Sequence, residues 1–164
     1  MTAQFGDGLT IDGEAAHLVC CPALPWYHPR LVKLTEDEAL ADKRIIVAFS
    51  TACWRRYVAR WRLEEDRLFL DGIIGIYRLD GDEPLFADWV TEELRVSQGK
   101  LLTYVHMGFG SVFEKELLLD VQLGLVVRRT KRDNRGKEHD WVELGWKNLP
   151  SADTVTPGWK RGKH

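Results

Sequence analysis

At 164 residues the chain fits one domain of roughly 100 to 150 residues better than two. Its 45% hydrophobic share and seven tryptophans give it the apolar surface of a folded core and exclude the polar composition of a disordered chain. A formal charge of -2 and a pI near 6.2 supply neither an overall basic field for nucleic acid nor a strong acidic one.

Three cysteines occur, and Cys20 and Cys21 are adjacent, where the side chains of neighbours diverge and a disulfide closes poorly. They read as reduced thiols and predict a cytoplasmic setting. The first residues lack a basic start followed by an apolar run, and no eighteen apolar residues stand together. Neither secretion by that route nor a membrane span is expected.

Residues 1 to 30 mix Gly, Pro and polar residues without a sustained period, apart from His17 to Cys21, which reads as a first strand. The fold is expected to begin in earnest after Pro29. Thr35 followed three residues later by Glu38 has the spacing of a capping box and predicts a short helix. Residues 44–49 form a β-branched and aromatic run of strand length. In 57–63, Tyr57, Ala59, Trp61 and Leu63 alternate with Val58, Arg60 and Arg62, and the acidic turn Glu64-Glu65-Asp66 leads into 67–70. That is a hairpin with a charged tip.

A second hairpin is expected to turn at Ser97-Gln98-Gly99 and a third at Gln122-Leu123-Gly124. A fourth turn, Asp133-Asn134-Arg135-Gly136, leads to a strand over 139–144. Between them, residues 82–89 suggest one helical turn with Pro84 near its start. Hairpin after hairpin predicts a β-rich α+β fold: an antiparallel meander, as a twisted sheet or partly open barrel, with one or two short helices. Residues 1–150 are expected to form this single domain, with 151–164 as a flexible tail.

Catalytic patterns are sparse. His17, Cys20, Cys21, His28, Cys53, His106 and His139 are scattered, with His17-x-x-Cys20-Cys21 the nearest approach to ligand spacing, so no metal site and no cofactor are expected. Ser50, Cys53 and Ser111 are the nucleophile candidates, with His106 or His139 as base, but no nucleophile elbow accompanies them. Gly108-Phe109-Gly110-Ser111 beside His106 and Glu114 suggests an anion cradle for a small enzyme, yet lacks the following helix and phosphate-pairing lysine. The carboxylate pairs Glu114/Glu116 and Asp80/Asp82 share strand faces and serve equally as solvated charge.

The run 128–137 holds six cations, Arg128, Arg129, Lys131, Arg132, Arg135 and Lys137, against the single acid Asp133, and is the alternative nucleic-acid surface. The acidic tips Glu64, Glu65, Asp66, Asp80, Asp82 and Glu83, with Trp89 and the loop aromatics Trp26 and Tyr27, read instead as a protein-recognition surface. Trp54, Trp61 and Trp89 read as core.

Residues 50–61, 66–71, 85–89 and 106–114 carry a further signal. Thr51-Ala52-x-Trp54-x-x-Tyr57-x-Ala59-x-Trp61 followed by a hairpin resembles a family of small uncharacterised bacterial cytosolic proteins over roughly residues 45 to 130, with Arg56 where that pattern has glycine. The resemblance implies an accessory protein of bacterial competition systems. Such an immunity protein blocks a toxin by binding it and has no active site to carry over. A non-catalytic, antitoxin-like module with a protein partner is therefore the expected function.

Overall fold

Over residues 4–42, 51–103 and 111–135, which the computed structural model describes, alternation in sequence becomes alternation in burial. In β4 (Tyr57–Glu64) the buried side chains are Tyr57, Ala59, Trp61 and Leu63, and the residues between them are more exposed. A pleated strand imposes that period of two. β4 turns at Glu65-Asp66 into β5 (Arg67–Gly75), the first expected hairpin. The third is also present: β9 (Val112–Gln122) turns at Leu123-Gly124 into β10 (Leu125–Asp133).

The second is not a hairpin. β8 (Glu92–Thr103) runs straight through Ser97-Gln98-Gly99, and the register against β9 slips between Gln98 and Leu101. Gly99, at φ +77°, serves a bulge instead of a reversal, and Glu114 fills the space a side chain there would need. Positive φ at a glycine suits either device, so local sequence does not choose between them.

The fold also begins well before Pro29. β1 (Gly8–Ile11) and β2 (Glu14–Leu18) form a hairpin at the middle of the sheet, and β2 pairs with β8. β1 lies parallel to β4, with Leu9 beside Trp61 and Ile11 beside Leu63. This parallel pair departs from a pure meander; the long intervening chain, 12–56, makes the crossover possible. The order is β10-β9-β8-β2-β1-β4-β5, and pairing of Leu125 with Arg67 brings β10 back to β5. The result is a seven-stranded, closed, barrel-like sheet. Its core is Leu9, Leu18, Trp61, Leu63, Leu70, Leu94, Leu119 and their neighbours.

The expected helical turn within 82–89 is instead a short strand, β7 (Leu85–Phe86), on the edge of β5, because Phe86 packs on Phe69 across the pair. β3 (Leu31–Lys33) and β6 (Tyr77–Leu79) form a separate ribbon. Helix α1 (Glu36–Leu40) has the predicted box: Thr35 Oγ1 accepts the Glu38 N–H at 3.3 Å and Glu38 Oε2 accepts the Thr35 N–H at 2.9 Å. The expected strands at 44–49 and 139–144 and the tail 151–164 lie outside the described residues. Among the described residues no helix is long and apolar enough to cross a membrane.

One polar group organises the interior. Asp7 is 1% exposed, and its carboxylate accepts the Arg55 Nη2 at 2.6 Å, the Trp61 indole N–H at 2.9 Å and the Ala59 backbone N–H at 3.1 Å. Its backbone is bonded on both sides as well, donating to Cys20 O and accepting from Leu18 N–H. Burial pushes the Asp7 carboxyl above its ordinary 3.8, with Arg55 and the two other donors pulling it back. Asp7→Ala should cost about 3–5 kcal/mol, because a buried guanidinium and two N–H groups lose their acceptor together. Urea unfolding of the variant beside wild type measures this, and a loss below about 1 kcal/mol would contradict the role given to Asp7.

Candidate protein-binding surface

The Asp7–Arg55 pair places a set of aromatic rings at the surface. Arg55 also donates through Nη1 to Phe5 O at 2.7 Å, and its guanidinium lies 5.4 Å from the centre of the Tyr57 ring. That is a cation–π contact fixed by an ion pair. Tyr57 opens β4 and meets Tyr77, which opens β6, edge to face at 5.7 Å. Trp26, in the loop between β2 and β3, stands edge-on to both, at 6.4 Å from Tyr57 and 5.3 Å from Tyr77. These near-perpendicular arrangements are the ones the ring quadrupole favours.

The outer members of this group are bare. Trp26 is 52% exposed and the adjoining Tyr27 is fully exposed. Phe5 N–H donates to Ala52 O at 2.8 Å and Trp54 N–H to Gln4 Oε1 at 2.8 Å, so the two segments lie together and present Phe5 and Trp54, each about half exposed. Trp54 was expected in the core. Its neighbour Cys53 takes the inward position instead, with its thiol donating to Tyr57 O at 3.2 Å.

All three thiols are free. Burial pushes the Cys20 thiol up to about 12 and also raises Cys21 and Cys53. They stay protonated at neutral pH, the poor state for a nucleophile or a metal ligand. Among the described residues no group of three or more His, Cys, Asp or Glu could hold a metal ion.

The acidic residues singled out in the sequence fall into two separate groups. Asp66 is bound to Arg129 at 2.7 Å and Glu64 lies 3.6 Å from Arg62, while Glu65 is exposed. Asp80 is held by Arg78 at 2.7 Å, and the backbone carbonyls of Asp80 and Glu83 accept from Arg30. Asp82 is exposed beside them. Trp89 is half-buried, its ring 6.3 Å from Trp61 and its indole N–H on Ala23 O at 2.7 Å, so much of its surface serves packing.

Four cations of the basic run lie against acids, Arg128 on Asp120, Arg129 on Asp66, Arg132 on Glu116 and Arg135 on Asp133, while Lys131 is exposed. Lys137, His106, the loop 108–110, Ser50 and His139 lie outside the described residues. Ser111 gives its backbone carbonyl to Arg95. Of the pair Glu114 and Glu116, the first accepts the Lys100 N–H at 3.0 Å, and the second is buried between Arg95 and Arg132 with the Asn134 amide on Oε2.

No family model matches the chain, and no curated protein or solved structure matches it.

Burial alone would raise the Glu116 carboxyl, but Arg95, Arg132 and Asn134 outweigh it and hold it below the ordinary 4.5. A carboxylate depressed in the folded state adds stability that is fully present above its unfolded pKa and is lost as pH falls through the folded one. Glu116→Gln should therefore flatten the loss of stability below about pH 4.5. Denaturation midpoints from pH 7 down to the acid transition measure it; unchanged steepness in the variant would contradict the assignment.

Proposed function

We propose that the chain is a non-catalytic protein-binding module, an immunity or antitoxin-like factor that neutralises a bacterial toxin by covering it. The observation that carries the protein-binding part is the gathering of Phe5, Trp26, Tyr27 and Trp54, each half exposed or more, round the buried Arg55–Tyr57 pair. Scattered exposed apolar residues need no explanation, but exposed rings brought from three segments of the chain to one ion-paired base do. Tryptophan, tyrosine and arginine are the residues that dominate binding energy at protein interfaces. Trp26 is already held edge-on against Tyr57 and Tyr77, so little entropy is lost when a partner covers it.

The toxin as partner rests on the motif resemblance across residues 50–61 and 106–114. A cytoplasmic setting rests on the free, protonated thiols. The basic run supports nucleic-acid binding less well, because Arg128, Arg129, Arg132 and Arg135 already lie against carboxylates.

Co-expression with the product of the adjacent gene, followed by size-exclusion chromatography, tests the reading. A complex is expected, and Tyr27→Ala with Trp54→Ala should weaken it at least about tenfold without loss of fold, since both side chains are largely exposed. Separate elution at micromolar concentration would count against the toxin-like partner, and a complex indifferent to the double variant would remove the aromatic surface as its site.

A further inference from the structure

The outer wall of the sheet carries two arginines in different states. β4 turns Arg60 and Arg62 away from the core that Ala59, Trp61 and Leu63 fill. The ladder between β4 and β5 slips between Arg60 and Trp61, which leaves Asp71 as the extra residue of β5. The Asp71 carboxylate accepts Arg62 Nη2 at 2.9 Å, and Glu64 lies 3.6 Å from the same guanidinium. Arg60 is exposed, and among the described residues no acid lies on it.

What Arg60 rests on is glycine. One row across the sheet runs from His17 of β2 through Gly8 of β1 and Arg60 to Gly72 of β5. The guanidinium reaches over β5 into the space that Gly72 leaves, with Nη2 2.9 Å and Cζ 3.7 Å from where a Cβ at that position would stand. Neither glycine has the positive φ that would demand its residue type. A Cβ at Gly8 would meet only Arg60 Cγ, at an ordinary 3.7 Å. Glycine inside a strand weakens it, and where the backbone does not require it, it marks a place of close approach. Here it leaves bare backbone on both sides of one exposed guanidinium.

We propose that Arg60, seated between Gly8 and Gly72, receives a carboxylate from an acidic segment of a partner protein, whose backbone the two glycines allow to come close. The site rests on the preceding reading only for the class of partner, and its residues are distinct from the aromatic group. The carboxylate is chosen by the arginine fork, whose paired N–H donors match two oxygens in one plane, and the neighbouring Arg62–Asp71 bond shows the same match on this wall. A run of phosphates needs several free cations, whereas Arg62 is already engaged by Asp71 and Glu64.

The probe is a short synthetic peptide of alternating glutamate and glycine, titrated into the isotope-labelled full chain, with inorganic phosphate titrated in parallel. Backbone amide shifts should gather at 8–10, 58–60 and 71–73, together with the Arg60 Nε–H signal, and shrink as sodium chloride rises. Arg60→Lys keeps the charge but loses the fork, and should weaken the peptide about fivefold or more. Gly72→Ala should displace the guanidinium and weaken the peptide comparably without lowering the urea midpoint, because the atoms that must give way are the far end of a flexible side chain. Misfolding then cannot explain the loss of binding.

Equal binding of a lysine–glycine peptide, unchanged affinity in Arg60→Lys, or phosphate matching the peptide at equal concentration would each overturn the proposal. Peptide binding that depends on Arg60 supports the site even where no complex forms with the adjacent gene product, an outcome that sinks the preceding reading alone. A complex with that product, unaffected by Arg60→Lys and without peptide binding, would sink this site alone.

Discussion

The carboxylate of Asp7 is where the amino-terminal segment meets the stretch 55–61. It joins the amino-terminal segment to β4 through the Ala59 N–H, to the core through the Trp61 indole, and to the surface through Arg55. A buried charge of this kind is costly, and the cost is offset because both carboxylate oxygens are hydrogen-bonded and one faces a guanidinium. The arrangement leaves little freedom: shifting β1 along β4 would carry Asp7 away from Arg55 and Trp61 at once. The parallel β1–β4 register, and with it the place of β2 and β8, follows from satisfying one side chain.

The same interaction reaches outward. Arg55 is fixed by Asp7, Tyr57 is covered by Arg55, and Trp26 and Tyr77 pack on Tyr57. The polar interior thus determines where the exposed aromatics stand, and the surface inherits rigidity from the core. Glu116 performs a related task on the sheet formed by β8, β9 and β10, gathering Arg95 and Arg132 from the two strands that flank its own. In both cases arginine is used for its fork of donors, which a lysine would not reproduce.

How much of this is visible in the sequence depends on the range of the interaction. The alternation through Tyr57 to Leu63 and the Thr35–Glu38 box are local, and both appear as read. Ser97-Gly99 is ambiguous because a glycine at positive φ permits a reversal or a bulge, and only the pairing of β8 with β9 along its length decides. Asp7 gives no local sign at all: it lies in an opening segment of Gly, Pro and polar residues without sustained period, and its partners stand 48 to 54 residues away. Trp54 stands outside the core it was expected to join for a similar reason, since hydrophobicity says that Cys53 or Trp54 is inward but not which. The acidic tips are legible as charge, yet their ties to Arg129, Arg62 and Arg78 are not, so they look freer in sequence than they are in space.

The closure of the barrel rests on a short seam. β10 meets β5 through the single residue pair Leu125 and Arg67, supported by the Val126 and Leu68 amides and the Arg129–Asp66 ion pair, whereas β8 and β9 share a long ladder. The strand that carries exposed Leu125 and Val127 is therefore also the one whose parting would unzip the cylinder into an open sheet. Such few-bonded junctions exchange their amides sooner than the ladders beside them. Anything that stabilises the Leu125–Arg67 pairing therefore holds the two margins of the sheet together, and anything that parts it opens both at once.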